Sequence, residues 1–428
     1  MPNYNSERFL LPDWVQNVCL NPKKSKGSYL FDDNSRRYIL DLYCFFSTLP
    51  LGYNHPVFSD EEFLEELLTF GGLKPSTGRI MTRFTDEFLT VFHNFVSRGV
   101  FDKYFFIHGG GLAVENALKI SFDWKRHINE KRGYRVDPET LKVMALEDGF
   151  HGITGYGLSL STNSLKCSGY PKFDWPKFRV PFVHFPSDEV DHSAVRNAED
   201  QALENIRGYI KRTGKQFIAS MIIELVQGGG GDNHLGKGLV KALLDICEEN
   251  DILLIVDECQ TGFGVSGRLW CFEHYQVKPH LITFGKKAQV CGVGIGSHIP
   301  DVDEVLNVPG RMSPTWNGDI TDYIRCKYII KAYEEHDLIG NAERMGRYLI
   351  SSLEQMQKFI NVRGRGHLIA FDFENSKDRD RYDALCFEKG LFLLPMRDTT
   401  LRMRPNMALT QDEADHALNI LDEVNRSF

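Results

Sequence analysis

Four short runs, residues 143–146, 217–224, 252–256 and 281–284, are apolar almost throughout and lack the polar alternation of a half-exposed strand. Strands of that kind are buried on both faces, so the sheet they form must be mostly parallel and covered by helices on either side. The covering helices are legible between them. Segments 112–124 and 239–249 carry apolar residues at three- and four-residue intervals. Strand and helix therefore alternate through the middle of the chain, and the expected fold class is α/β with a mostly parallel central sheet.

Beyond about residue 309 the pattern changes. A long helical stretch runs from 321 to about 357, followed by short strands at 368–373, 390–394 and 401–403. Thr410-Gln-Asp-Glu413 then has the form of a capping box, which announces a closing helix. This mixed order predicts a smaller α+β domain. A chain of 428 residues accommodates two or three domains at about 150 residues each. Two are expected: a large domain over 56–308, and a small one over 309–428 to which residues 1–55 contribute.

The formal charge of −8 and the absence of any Lys/Arg block argue against nucleic acid and anionic membrane as partners, and point to small molecules. Nine cysteines, an odd number with no C-x-x-C pair, fit neither a zinc site nor a disulfide framework, so no metal is expected. The N-terminal residues show no basic stretch leading into an apolar one, and a cytoplasmic location is expected.

Ligands of open α/β sheets collect beyond the carboxyl ends of the strands, so the residues that follow each buried run matter most. The run 252–256 ends in Asp257, and the run 281–284 ends in Gly285-Lys286-Lys287. His108-Gly109-Gly110-Gly111 opens the helix at 112–124, where free N–H groups and the positive dipole end suit a phosphate. Phe150, beyond the run 143–146, offers a plane for stacking. Pyridoxal phosphate is a cofactor that uses all of these: a phosphate, an aldehyde that condenses with lysine, and a ring nitrogen kept protonated by a carboxylate. Val226-Gln-Gly-Gly-Gly-Gly-Asp232, four glycines after a strand, is either a bare loop or the floor of a ligand site. Gly231 to Gly238 imitates a P-loop but lacks its final Ser/Thr.

Leu112-Ala-Val-Glu-Asn-Ala-Leu-Lys119, Pro171-Lys-Phe-Asp-Trp-Pro176, Asp257-Glu-Cys-Gln-Thr-Gly-Phe-Gly264, Phe284-Gly-Lys-Lys-Ala-Gln-Val-Cys-Gly292 and Arg402-Met-Arg-Pro405 together resemble class III aminotransferases of the fold-type I pyridoxal-phosphate enzymes. Within that family the lysine 6-aminotransferases are most similar. The resemblance implies Lys286 as the Schiff-base lysine, Asp257 on the pyridine nitrogen and Gln260 on the phenolic oxygen. It places Cys259 beneath the ring opposite Phe150, with Glu224 near the lysine. Gly110 and Gly111 would hold the phosphate, with Thr315 of a second subunit reaching it, so that a homodimer completes each site. Arg402 would bind the carboxylate of 2-oxoglutarate in a ping-pong transamination. Two positions depart from the family. Gly229 stands where a glutamate pairs with the carboxylate-binding arginine, which leaves Arg402 expected to be unpaired. Ile153 stands where an arginine holds the α-carboxylate of lysine, so the donor is open to alteration. Racemisation, decarboxylation, aminomutase activity or a decayed cofactor-binding protein are the alternatives.

Overall fold

The computed structural model describes residues 18–73, 80–183 and 192–428. Its centre is a seven-stranded sheet built from β1 (Phe101–Phe106), β2 (Lys142–Leu146), β3 (Lys177–Phe178), β4 (Ile218–Ile223), β5 (Leu253–Asp257), β6 (Leu281–Phe284) and β7 (Gly292–Gly296). The spatial order is β1-β7-β6-β5-β4-β2-β3. Only β7 runs against its neighbours β1 and β6. The remaining pairs are parallel.

Successive residues of these strands enter different cores. Leu253 and Ile255 join the cluster of Val114, Ala117, Leu118 and Trp124 from the helix Gly110–Lys131. Leu254 and Val256 join the opposite cluster with Leu239, Leu243 and Cys247 from the helix Lys237–Glu249. Each such buried aliphatic side chain contributes about 1.5–3 kcal/mol, and burial on both faces is what the unbroken apolar runs required.

A second, four-stranded antiparallel sheet joins Ile360–Arg365, Leu368–Asp372, Thr400–Met403 and Leu394–Met396. Near it Arg37–Asp41, paired with Tyr29–Asp32, lies parallel to Leu391–Phe392. Leu40 and Leu42 pack into the same core as the closing helix Gln411–Ser427. Thr410 and Glu413 cap that helix reciprocally, and the other oxygen of Glu413 accepts from the Ser28 N–H at 2.9 Å. Residues 1–17 of the expected N-terminal contribution lie outside the described residues.

The helical stretch from 321 is two helices, Ile320–Glu335 and Leu338–Glu354, broken at Asp337, which adopts φ 47° and caps the second helix through Gly340 N. No Gly or Pro at the break signals it in the sequence. The first of the two lies beyond the boundary expected at 309 yet packs in the large-sheet core, where Tyr323 stacks on Phe88 with centroids 4.4 Å apart. Among the described residues no helix is long and apolar enough to cross a membrane.

Candidate active site

The carboxyl ends of β4, β5 and β6 bring the chemistry together. The register of β5 and β6 sets Thr283 beside Asp257, and its hydroxyl donates to Asp257 Oδ1 at 2.8 Å. The Cys259 N–H donates to the same oxygen at 3.1 Å, while His151 Nδ1 faces Oδ2 at 2.9 Å. Both partners are buried. Burial opposes both charges, yet the shared hydrogen bond and mutual attraction win: the Asp257 carboxyl is held below its ordinary range and the His151 imidazole is raised above its own.

Lys286 follows β6 in a left-handed conformation, φ 45°. Desolvation pushes its ammonium down to about 8. Its neighbour Lys287 is fully committed elsewhere. Lys287 Nζ donates to the carbonyls of Pro405 at 2.8 Å and Leu49 at 3.2 Å, which leaves Lys286 as the lysine free for chemistry. Glu224, just past β4, accepts from the Phe150 N–H at 2.8 Å, and burial pushes its carboxyl up to about 7.

Cys259 sits where these parts meet the glycine turn. Helix Gly110–Lys131 begins after Gly109, whose φ is 90°. A Cβ on Gly110 would stand 3.1 Å from Cys259 Sγ, and one on Gly285, beside Lys286, 3.8 Å from it. The side-chain-free start of the helix thus stands against Cys259, two residues after Asp257 and close to the turn that carries Lys286. His108 lies 3.8 Å from Asp319.

The four glycines are a floor that side chains would break. A Cβ at Gly228 would fall 1.9 Å from Gln260 Oε1, and one at Gly229 would fall 2.7 Å from Phe150 Cβ. Gln260 Oε1 is in turn gripped by Arg402 Nη1 at 3.3 Å and Arg404 Nη2 at 3.2 Å.

Arg402 is not unpaired, as the glycine at 229 led one to expect. Its Nη1 donates to Asp232 Oδ1 at 3.3 Å and to the Gly228 carbonyl at 2.6 Å. Asp232 is wholly buried and also pairs with Arg404. The turn of glycines folds its own terminal acid back under Arg402, a closure that depends on tertiary geometry. The Arg402 Nε has no partner among the described residues.

His151, Thr283, Asp232 and Arg404 were not singled out from sequence. Adjacency hinted at three of them: His151 follows Phe150, Asp232 closes the glycines, and Arg404 stands two residues after Arg402, whereas Thr283 lies inside an apolar run. Thr315 is exposed on the loop before helix Ile320–Glu335. Ile153 is 53% exposed.

These residues fit pyridoxal phosphate. The cradle at Gly110 is one that a Cβ would fill, Lys286 is a desolvated amine, and Asp257 is anionic with accepting capacity left after three bonds. Among the described residues no cluster of His, Cys, Asp and Glu could hold a metal.

Known proteins agree with that arrangement. The family model for class III aminotransferases matches residues 10–424. The chain is 35% identical over 420 residues to an L-lysine-epsilon aminotransferase of Mycobacterium tuberculosis, covering 96% of this chain and 92% of that one. Identity to the enzyme of the same name from Amycolatopsis lactamdurans is also 35%, over 416 residues, with 94% and 91% covered. The solved lysine aminotransferase of M. tuberculosis, in its internal aldimine form, superposes with a TM-score of 0.92 at 34% identity over 98% of this chain and 97% of that one. With the lysine, the acid and the glycine turn in one place and the likeness running nearly end to end, the chain belongs to the class III aminotransferases and is a pyridoxal-phosphate-dependent transaminase.

Proposed function

We propose that this enzyme moves an amino group from an aliphatic primary amine to 2-oxoglutarate by a ping-pong mechanism, in a cytoplasmic homodimer. The observation that carries the acceptor is Arg402: buried, cationic, and with all three of its side-chain hydrogen bonds made through Nη1, so that its buried Nε, without a partner among the described residues, is left to be satisfied by a carboxylate. Burial, with Arg404 adding to it, lowers its pKa only to about 10, so the guanidinium remains charged at neutral pH.

When bound, pyridoxal phosphate supplies an aldehyde for the amino group and a ring that withdraws electrons. Lys286 Nζ would hold the aldehyde at rest and, once released by the donor, move the proton at the donor's amino-bearing carbon. Its pKa of about 8 leaves an appreciable neutral fraction for that task. Asp257, kept ionised by His151 and Thr283, would hold the proton on the ring nitrogen. Gln260, with Oε1 fixed by two arginines, has its NH₂ left to donate and would give it to the phenolic oxygen. Phe150 and Cys259 would wall the ring, and Glu224 anchors the Phe150 backbone beside it. Gly110 and Gly111 would hold the phosphate, with Thr315 of a second copy completing the site. The exposed Trp316 next to Thr315 supports a face covered by that copy.

The relatives named for L-lysine make lysine the first donor to test, and Ile153 in place of a cationic anchor puts diamines beside it. The test is a screen of amines with 2-oxoglutarate, reading glutamate. Product that forms without any oxo acid would point to racemisation or decarboxylation instead, and an inert protein that retains its cofactor would point to decay.

A further inference from the structure

Arg404 is a second guanidinium beside Arg402, fully buried, which the proposed function uses only to fix Gln260. Its Nη2 reaches the same two oxygens as Arg402: Asp232 Oδ1 and, at 3.2 Å, Gln260 Oε1. Its Nη1 donates to the Met403 carbonyl at 3.0 Å, and its backbone N–H to the Leu42 carbonyl at 2.6 Å, so its position is set by the fold. Two cations therefore share one buried carboxylate. The next cation, Arg363, meets Asp232 only through its backbone carbonyl at 3.2 Å, and is itself paired with Asp372 at 2.9 Å.

We infer that Arg404 is a positioning residue: by holding Asp232 and Gln260 it keeps Arg402 from closing further on Asp232 and so leaves the Arg402 Nε unpartnered for the oxo-acid carboxylate. The geometry of Asp232 supports this. Its Oδ1 accepts from both arginines while its Oδ2 has no partner among the described residues. An isolated arginine beside a buried carboxylate prefers the two-point fork, which here would consume the Nε edge and neutralise Arg402. Arg404 occupies the carboxylate first. One net positive charge from Arg402, Arg404 and Asp232 then remains for the incoming anion.

The inference rests on the acceptor reading of Arg402, and its test separates the two. The dissociation constant of glutarate, a five-carbon dicarboxylate with no oxo group to react, is measured on cofactor-loaded protein from the change in visible absorbance. The KM for 2-oxoglutarate is measured beside it. Arg404→Met should weaken glutarate at least about tenfold and raise that KM, the loss expected for one charge-assisted contact. Adding Asp232→Asn to Arg404→Met removes the competing carboxylate and restores the single net charge, so affinity should return to within about threefold of the parent, well under one tenfold step. Arg404→Lys should retain most of the affinity, and Arg404→Gln repeats the test should the Met variant fold poorly. Unchanged glutarate affinity in Arg404→Met and Arg404→Gln, or a loss that Asp232→Asn does not reverse, overturns the inference and leaves a purely structural Arg404. Unchanged affinity in Arg402→Ala overturns the acceptor reading along with it.

Discussion

His151→Ala should move the acid limb of activity upward by about one to two pH units. The imidazole makes a charge-assisted hydrogen bond of 2.9 Å to Asp257 Oδ2 with both groups buried. Such a bond contributes about 1.5–3 kcal/mol, and at about 1.36 kcal/mol per unit its loss raises the carboxyl by roughly one to two units. The sign follows from the two shifts. Asp257 is depressed on folding, so its share of stability is present above the unfolded value of about 3.9 and is lost as pH falls through the folded one. His151 is raised, so its share is complete below about 6.5 and is lost as pH rises through its folded value. The pair is strongest between about pH 4 and 6.5. In the Ala variant the acid limb rises because Asp257 protonates earlier, and the gap in thermal midpoint between parent and variant should be wider at pH 5.5 than at pH 8.5. His151→Asn sets a neutral amide where Nδ1 stood, a bond of about 0.5–1.5 kcal/mol, and should displace the limb roughly half as far. The assay is kcat against pH for the three proteins at saturating cofactor. A limb in His151→Ala that coincides with the parent's refutes the pairing as the source of the low Asp257 value.

Other outcomes follow from the same geometry. Loading of apo protein with pyridoxal phosphate should quicken as pH rises through about 8, where Lys286 becomes neutral, and Lys286→Ala should lack the visible band altogether; stopped-flow absorbance reads both. Lys287→Met should keep the band but lose about 2 kcal/mol of stability in denaturant, because the buried Pro405 carbonyl and the partly buried Leu49 carbonyl lose their donor, at about 1–3 kcal/mol for a fully buried one. Gly229→Glu should fail to restore a movable cover for Arg402, since its Cβ meets Phe150 Cβ at 2.7 Å; overpacking of about 1–3 kcal/mol and a blue- or red-shifted cofactor band should report the displaced ring, and an unshifted band with tighter lysine binding would contradict this.

What the sequence disclosed was set by local pattern. Buried parallel strands need apolar residues on both faces, so β4, β5 and β6 announced themselves, and the polar residues at their carboxyl ends, Asp257 after Leu-Leu-Ile-Val and Lys286 after Leu-Ile-Thr-Phe-Gly, were legible as the end where the structure gathers buried titratable groups. The glycine turn was readable as a helix start, since Gly109 to Gly111 open the helix Gly110–Lys131. Partners set by register were not. His151 and Asp257 are 106 positions apart, and Thr283 meets Asp257 only because β5 and β6 pair in one register. The break at Asp337 was hidden too, since an Asp in the left-handed region leaves the helical periodicity on both sides intact.

Gly229 shows how a local inference about charge goes astray. Loss of an acid at one position implies an unpaired arginine only if no other acid can reach it, and sequence spacing does not report reach. Four glycines let the chain turn tightly enough for Asp232, three residues on, to come beneath Arg402, while Arg404 comes up on the same oxygen from two residues beyond. A glutamate on a mobile side chain could alternate between covering and exposing an arginine. Asp232, wholly buried and held by two guanidinium groups, cannot. Arg402 is therefore a fixed half-screened cation, and as the proposed acceptor site it would be equally charged in both halves of a ping-pong reaction. Under that proposal, discrimination between donor and acceptor would come from the donor side, where the family resemblance puts Ile153, an exposed apolar residue with no charge. Donors ending in an uncharged or cationic group avoid competing for Arg402, so a diamine should show less inhibition by excess 2-oxoglutarate than lysine does. Equal inhibition constants for the two donors would place the discriminating charge somewhere other than Arg402.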